Sequence, residues 1–272
     1  MPSTADRPVL RVLTLNIWNR QGPWEARLAL IRRGVEALAP HVVGLQEVMT
    51  FGDRSLAGDI AAGLGYESAF GEAHALGGGV SFGNGVLSRF PIRDTATIAL
   101  PDAGAGERRS LLCTTLATPW GELPFLSTHL NWKFHHGYAR EAQVLAIAEA
   151  IATRYPVRSE LLPPVLTGDF NAVPESTEMR FLTGLHAVRG RSFYLADCFA
   201  EVGEGKGHTF DADRNPYAGL TWEAPRRIDY VLVRGPDAEG RGKPRSCRVV
   251  LTEVEDGVAA SDHYGVFAEI SL

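Results

Sequence analysis

The 272 residues carry a formal net charge of −5 and 45% hydrophobic side chains. That balance fits a globular chain with a substantial core and argues against a broad basic face for gripping long nucleic acid, though not against a local basic patch. No apolar run is long enough to span a bilayer, and the polar residues before Val9 lack the charged start and apolar stretch of a signal peptide, so a cytoplasmic protein with no transmembrane segment is expected.

In chain order, residues 10–16 read as a strand. Trp24, Leu28, Ile31, Val35 and Leu38 then recur at helical spacing and stop before Pro40. Residues 41–46 read as a short apolar strand and 53–64 as a helix ended by Gly65. Between residues 79 and 129 the texture changes to short strand-like runs, at 80–88, 92–100, 111–117 and 123–128, separated by Gly and Pro. A long helix is predicted over 138–154, followed by strands at 165–167, 228–233, 248–253 and 264–271. Residues 203–225 lack periodicity, and their Phe210, Tyr217 and Trp222 suggest a loop that folds over something, with disorder as the alternative. Cys113, Cys198 and Cys247 are odd in number and not at metal-ligand spacing, so they read as buried, reduced thiols. Two blocks of strands with flanking helices imply two packed sheets with helices outside, in one domain over residues 8–272. No oligomerisation signal is evident.

Polar residues repeatedly close apolar strands. Leu13-Thr14-Leu15 ends at Asn16, Val42-Val43-Gly44-Leu45 at Gln46-Glu47, and Phe125-Leu126-Ser127-Thr128 at His129. Val165-Leu166-Thr167 runs into Gly168-Asp169-Phe170-Asn171; Asp229 lies just inside the strand at 228–233, and Ser261-Asp262-His263 precedes the last. A strand end holds a side chain rigidly, and an α/β sheet gathers several such ends. Asp, Glu and Asn oxygens are hard donors suited to Mg²⁺ or Mn²⁺, and histidine titrates near neutral pH. Singly, each such residue is as readily a turn former or a structural histidine.

In order, these fragments resemble the motifs of the endonuclease/exonuclease/phosphatase superfamily, with its deoxyribonuclease-like fold. The resemblance covers nearly the whole chain and implies an α/β fold, a four-layer αββα sandwich of mixed sheets with the site at one end. It implies a hydrolase that uses Mg²⁺ or Mn²⁺, with Asn16, Glu47 and Asp262 as metal residues and Asp169 and Asn171 facing the phosphate and able to hold a second ion. His263 would be the general base, oriented by Asp229, and His129 would donate to a phosphate oxygen. Thr-His-Leu at His129 is unlike the abasic-site nuclease branch. Asn84, inside Asn-Gly-Val-Leu-Ser-Arg, reads as a turn former or as an orienting partner for His129.

The preferred reading is a phosphodiesterase acting by in-line water attack. Kept beside it are a nuclease acting on DNA or RNA ends, a sphingomyelinase-like lipid phosphodiesterase, a phosphomonoesterase, and a catalytically silent binding module. The partner is thus a phosphoester substrate whose class (small molecule, nucleic acid or lipid head group) stays open. Trp18, Trp132, Phe134 and Tyr138 could line its pocket, and Lys133, Arg140, Arg226 and Arg227 could add charge at the mouth.

Overall fold

The computed structural model describes residues 7–158 and 160–272; the polar segment 1–6, read above as lacking a signal peptide, lies outside them. The chain runs through β1 (Val9–Asn16), α1 (Trp24–Leu38), β2 (Val42–Phe51), β3 (Arg54–Ser55), α2 (Leu56–Ala61), β4 (Glu67–Gly77), β5 (Val80–Ser88), β6 (Ile92–Leu100), β7 (Arg109–Thr118) and β8 (Gly121–His129). It continues through α3 (Gly137–Arg154), β9 (Val165–Asp169), α4 (Thr177–Leu182), β10 (Ala196–Asp197), α5 (Cys198–Val202), a 3-10 turn (Ala218–Thr221), β11 (Asp229–Val233), β12 (Pro244–Val250), β13 (Val254–Glu255), β14 (Val258–Ala259) and β15 (Gly265–Ser271).

Two mixed sheets face each other. One has the order β12-β15-β1-β2-β5-β4 with β3 appended to β2, the other β10-β11-β9-β8-β7-β6. Alternation along each strand sorts side chains into layers. Val12, Val42, Val86, Phe125, Val231 and Val266 fill the space between the sheets. Leu13, Leu15, Val43 and Leu45 point the other way, onto Ile31 and Val35 of α1 and Ile60 of α2. On the far side Leu126 and Leu166 meet Val144, Ile147 and Ile151 of α3. This is the αββα sandwich. All three cysteines are free and buried. Among the described residues no helix is long and apolar enough to cross a membrane.

Toward the ends of β1, β2, β8 and β9 the layer between the sheets turns polar and thin. Gln46 Nε2 donates to Thr14 Oγ1 at 3.2 Å and to Ser127 Oγ at 3.1 Å, joining the two sheets. Gly44 is required there, because a Cβ on it would fall 2.1 Å from Thr167 Oγ1.

The structure differs from the sequence reading in several places. The helix expected over 53–64 is β3 followed by the shorter α2, whose N-cap Ser55 accepts from Gly58 N and fixes its start. The strand expected at 248–253 is β12, which begins at Pro244 and ends at Val250, before Leu251 turns to a φ of 60°. β4 was not anticipated, since its burial does not alternate. The segment 203–225 is packed in part: Thr209, Phe210, Asn215 and Ala218 are buried, whereas Trp222 is exposed.

One arginine secures the connection after β1. Arg27 lies on the apolar face of α1, three residues from Trp24 and four from Ile31, and is 1% exposed. Its guanidinium donates to the carbonyls of Ile17 (2.8 Å), Gln21 (3.0 Å), Trp18 (3.1 Å), Asn19 (3.1 Å) and Ala260 (3.2 Å). Trp18 and Asn19, at φ 53° and 37°, are thereby held in a left-handed conformation that non-glycine residues rarely adopt. Arg27→Met should therefore destabilise the protein by about 3 kcal/mol or more, given the cost of stranding buried acceptors. Arg33→Met, which removes an exposed pair with Glu255, should change stability by less than about 1 kcal/mol. Thermal or urea denaturation of both variants checks this, and equal effects would contradict it.

Candidate active site

Register brings the expected residues together. In the second sheet His129 on β8 is the Cα partner of Asp169 on β9, and Asp169 is the partner of Asp229 on β11. Lateral neighbours share a face, so all three side chains turn toward the first sheet. Gly168 permits this approach, since a Cβ there would lie 2.2 Å from Thr128 O. In the first sheet Asn16 on β1 is the partner of Gln46 on β2. Beyond Gln46 the strand carries a bulge: residues 46 and 47 together face Asn84, between the pairs Leu45–Gly85 and Val48–Gly83. Glu47, at φ 59°, is turned by that bulge into the same cavity. The lead-in to β15 is tied to β1 by Ser261 Oγ donating to Asn16 O at 2.6 Å, which places Asp262 and His263 beside these groups.

The resulting cavity has a volume of about 1080 Å³ and is lined by Asn16, Glu47, His129, Asp169, Asn171, Asp262 and His263, among others. Asp229 sits behind His263, its Oδ2 2.9 Å from Nδ1. His263 Nε2 faces Asp169 Oδ2 at 3.7 Å, and His129 Nε2 lies 3.4 Å from the same oxygen. Asn16 Nδ2 donates to Asp169 Oδ2 at 3.0 Å and to Glu47 Oε1 at 3.4 Å, while its Oδ1 accepts from Trp18 N at 3.0 Å. Asn16 thus shows its nitrogen to the carboxylates and could ligate a cation through oxygen only after the amide turns over. Asn171 donates its N–H to Asp169 Oδ1 at 2.9 Å and its amide to Leu130 O at 3.2 Å.

Negative charge dominates the floor. Burial pushes the Asp169 carboxyl up to about 7, reinforced by Asp229 and opposed by His263, Asn16 and the Asn171 N–H. Burial likewise raises Asp262 to about 6, with His263 opposing and Glu47 adding to the shift. For His263 burial disfavours the cation, yet Asp229, Asp169 and Asp262 outweigh it and hold its pKa well above the ordinary histidine range. His129 goes the other way, lowered by burial, Arg109 and His263, so it is a neutral donor. Glu47 is held by the amides of Asn19 at 2.6 Å and Asn16 at 3.4 Å, donors that carry no charge. Asp169 and Asp262, whose ionisation burial makes costly, lie beside Glu47 with oxygen donors and no thiolate, a set that fits a hard divalent cation.

A model of the Endonuclease/Exonuclease/phosphatase family matches residues 13–263. The chain belongs to that family. Its members are divalent-metal-dependent phosphoester hydrolases, and this chain is an enzyme of the same class. Similar solved structures include an endonuclease/exonuclease/phosphatase from Beutenbergia cavernae, at TM-score 0.74 and 25% identity, covering 98% of this chain and 72% of that one. A family protein from Bacteroides vulgatus shares the fold at TM-score 0.75 and 20% identity, covering 98% and 100%. So does D. rerio TDP2 complexed with a single-strand DNA product, at TM-score 0.72 and 19% identity, covering 97% and 99%. No curated protein sequence matches the chain significantly.

Several sequence expectations change in detail. Asn84 is neither a turn former nor a partner of His129: it is buried within β5, with Nδ2 on Ser110 O at 3.0 Å. Arg140 and Arg227 do not charge the mouth, being buried against Glu178 and Asp197, both at 2.8 Å or less. Arg226 does line the cavity, over the rings of Phe134 and Phe210. Phe210 packs edge-on against the His263 ring with centroids 5.1 Å apart, and Thr209 Oγ1 accepts from Asp229 N at 3.2 Å, so this stretch of 203–225 braces the His263–Asp229 pair. Asn19, Thr209 and Arg27 escaped the sequence reading. Only Arg27 left a signal there, as a charge set in an apolar helix face.

The acid floor has a thermodynamic signature. Asp169 and Asp262 hold folded-state pKa values of about 7 and 6, above the value near 4 of an unfolded aspartate. Their contribution to stability is therefore present below about pH 4 and lost as pH rises through the folded values. A divalent cation requires the ionised forms. Added Mg²⁺ should raise Tm little near pH 5 and progressively more up to about pH 8, and Glu47→Gln should blunt the gain. A Mg²⁺ effect independent of pH would contradict this account of the floor.

Proposed function

We propose that the protein is a divalent-cation-dependent phosphodiesterase in which His263, held by Asp229, is the general base. The observation that carries the reading is the 2.9 Å contact between His263 Nδ1 and Asp229 Oδ2, which leaves Nε2 facing the cavity. In its neutral form, with the remaining proton on Nδ1 donated to the carboxylate, the imidazole presents a bare Nε2 to an attacking water, and Asp229 stabilises the imidazolium that results. That neutral form is favoured when the carboxylate charge that raises the His263 pKa is offset by a cation held among the neighbouring carboxylates. The water oxygen bonds to phosphorus as its proton passes to Nε2, and the ester oxygen leaves from the opposite side.

Neutral His129 and the Asn171 amide support the reading as donors to phosphoryl oxygens that gain charge. Asn16, Glu47, Asp169 and Asp262 would hold the cation, Mg²⁺ or Mn²⁺. When bound, the cation supplies charge neutralisation for the phosphoryl group and lowers the pKa of coordinated water. A nucleic-acid end as substrate is a second reading, favoured by Trp132, which is 54% exposed on the cavity rim where a base could stack.

Hydrolysis of bis-p-nitrophenyl phosphate should stop in excess chelator and return with Mg²⁺ or Mn²⁺. His263→Ala should reduce kcat by a factor on the order of 10² to 10⁴, with Asp229→Asn also strongly impaired through loss of tautomer control. Full turnover after exhaustive chelation, or near-normal turnover by His263→Ala, would sink the mechanism. The acid limb of kcat/KM in the parent enzyme should also disappear in His263→Ala, because only the unprotonated imidazole can accept the proton.

A further inference from the structure

The cavity has a second wall that the chemistry above leaves unused. It is built by His74 from β4, Phe82 from β5, and Arg108 and Arg109 at the start of β7. The Phe82 ring lies 5.2 Å from His74 and 6.4 Å from His129, so the wall runs unbroken outward from the reacting end. Arg109 is 8% exposed and places one terminal nitrogen 3.1 Å from Glu107. Its Nε is buried with no partner among the described residues, and so is His74 Nδ1.

Arg27 satisfies its buried guanidinium on backbone carbonyls, whereas Arg109, like Arg11 outside the cavity, keeps an unpartnered Nε; what sets Arg109 apart is that it lines the cavity wall. Glu107 cannot neutralise this wall alone, because it also faces Lys133 Nζ at 3.7 Å. Arg108 and Arg109 line the same cavity as His129 and Asp169, so the guanidinium groups border the space that holds the reacting end. A single scissile phosphate is provided for by the acid floor with its cation, His129 and Asn171. Arg109, with a buried donor left over, and the exposed Arg108 beside it on the same cavity wall are more than that phosphate can use.

We infer that His74, Arg108 and Arg109 form a subsite for a second anionic group of the substrate, a phosphate carried beside the scissile one. The inference rests on the phosphodiesterase reading only for where the scissile group sits. Arginine gives the planar, multi-donor recognition of phosphate that lysine does not. A second phosphate on a small molecule and the neighbouring phosphate of a nucleic-acid strand offer the same chemistry.

The test is binding, measured calorimetrically on the full chain with Mg²⁺ present. The probes are ethylphosphonate, the ethane-, butane- and hexane-bisphosphonates, and a 5′-phosphorylated thymidine dinucleotide. At least one doubly anionic probe should bind the parent about tenfold or more tightly than ethylphosphonate, a preference that Arg109→Gln should reduce to about twofold or less. Should Arg109→Gln fail to fold, Arg108→Gln, at an exposed position, should lower the same ratio several-fold. Equal binding of singly and doubly anionic probes by the parent, or an unchanged ratio in the folded arginine variants, overturns the subsite. A gain for the dinucleotide alone assigns the second anion to a strand, and a gain for a bisphosphonate alone to a small molecule. Absence of Mg²⁺-dependent ester hydrolysis with the binding preference intact would defeat the phosphodiesterase reading and leave the subsite standing.

Discussion

The site exists because two sheets approach closely enough at one end for side chains from each to share hydrogen bonds. Asn16 from the first sheet reaches Asp169 from the second at 3.0 Å, and one layer deeper Gln46 reaches Ser127 at 3.1 Å. Larger apolar residues at this end would wedge the sheets apart, as Phe125 and Leu112 fill the wider space elsewhere. The absence of a side chain at Gly44, opposite Thr167, is thus a condition for the chemistry. A polar layer inside a sandwich stabilises less than an apolar one unless every member is satisfied. Here Thr14, Gln46, Ser127 and Thr167 all find protein partners, and the acidic residues lie just beyond them on the cavity floor.

Charge follows from the same geometry. Bringing Asp169 and Asp262 into a buried space raises the cost of ionising them, and His263 offsets part of it. Arg27 contributes at a distance, fixing the loop that carries Asn19 and bonding Ala260, two residues before Asp262. The electrostatic work is therefore divided. One buried guanidinium organises backbone around the site, and the acids inside give the cavity its carboxyl oxygens.

Much of this was legible in the sequence because strand ends are local patterns. An apolar run broken at Asn16, Glu47, His129 or Asp169 can be read without knowing what faces it, and the order of the breaks supplied the fold. The ends of β2 and β12 were less legible. Residues 46–51 remain in the sheet only through a bulge, and alternation persists past Val250 although Leu251 turns the chain away. Arg109 and His74 could not be found this way. Their convergence depends on β4 and β7 lying in different sheets that pack face to face, and no spacing along the chain encodes that contact.

The bulge in β2 also sets the regularity of the sheet against the placement of one side chain. Gln46 packs into the layer between the sheets and Val48 into the outer core, the alternation an unbroken strand would show if Glu47 were absent. Glu47 is in that sense a supernumerary residue, held at a φ of 59° where a non-glycine side chain costs about 1 kcal/mol. A one-codon deletion there would leave the sheet regular and relieve the strain while discarding a carboxylate from the cavity. Selection for stability alone would favour losing it, so the presence of Glu47 runs against the preference of the sheet that carries it.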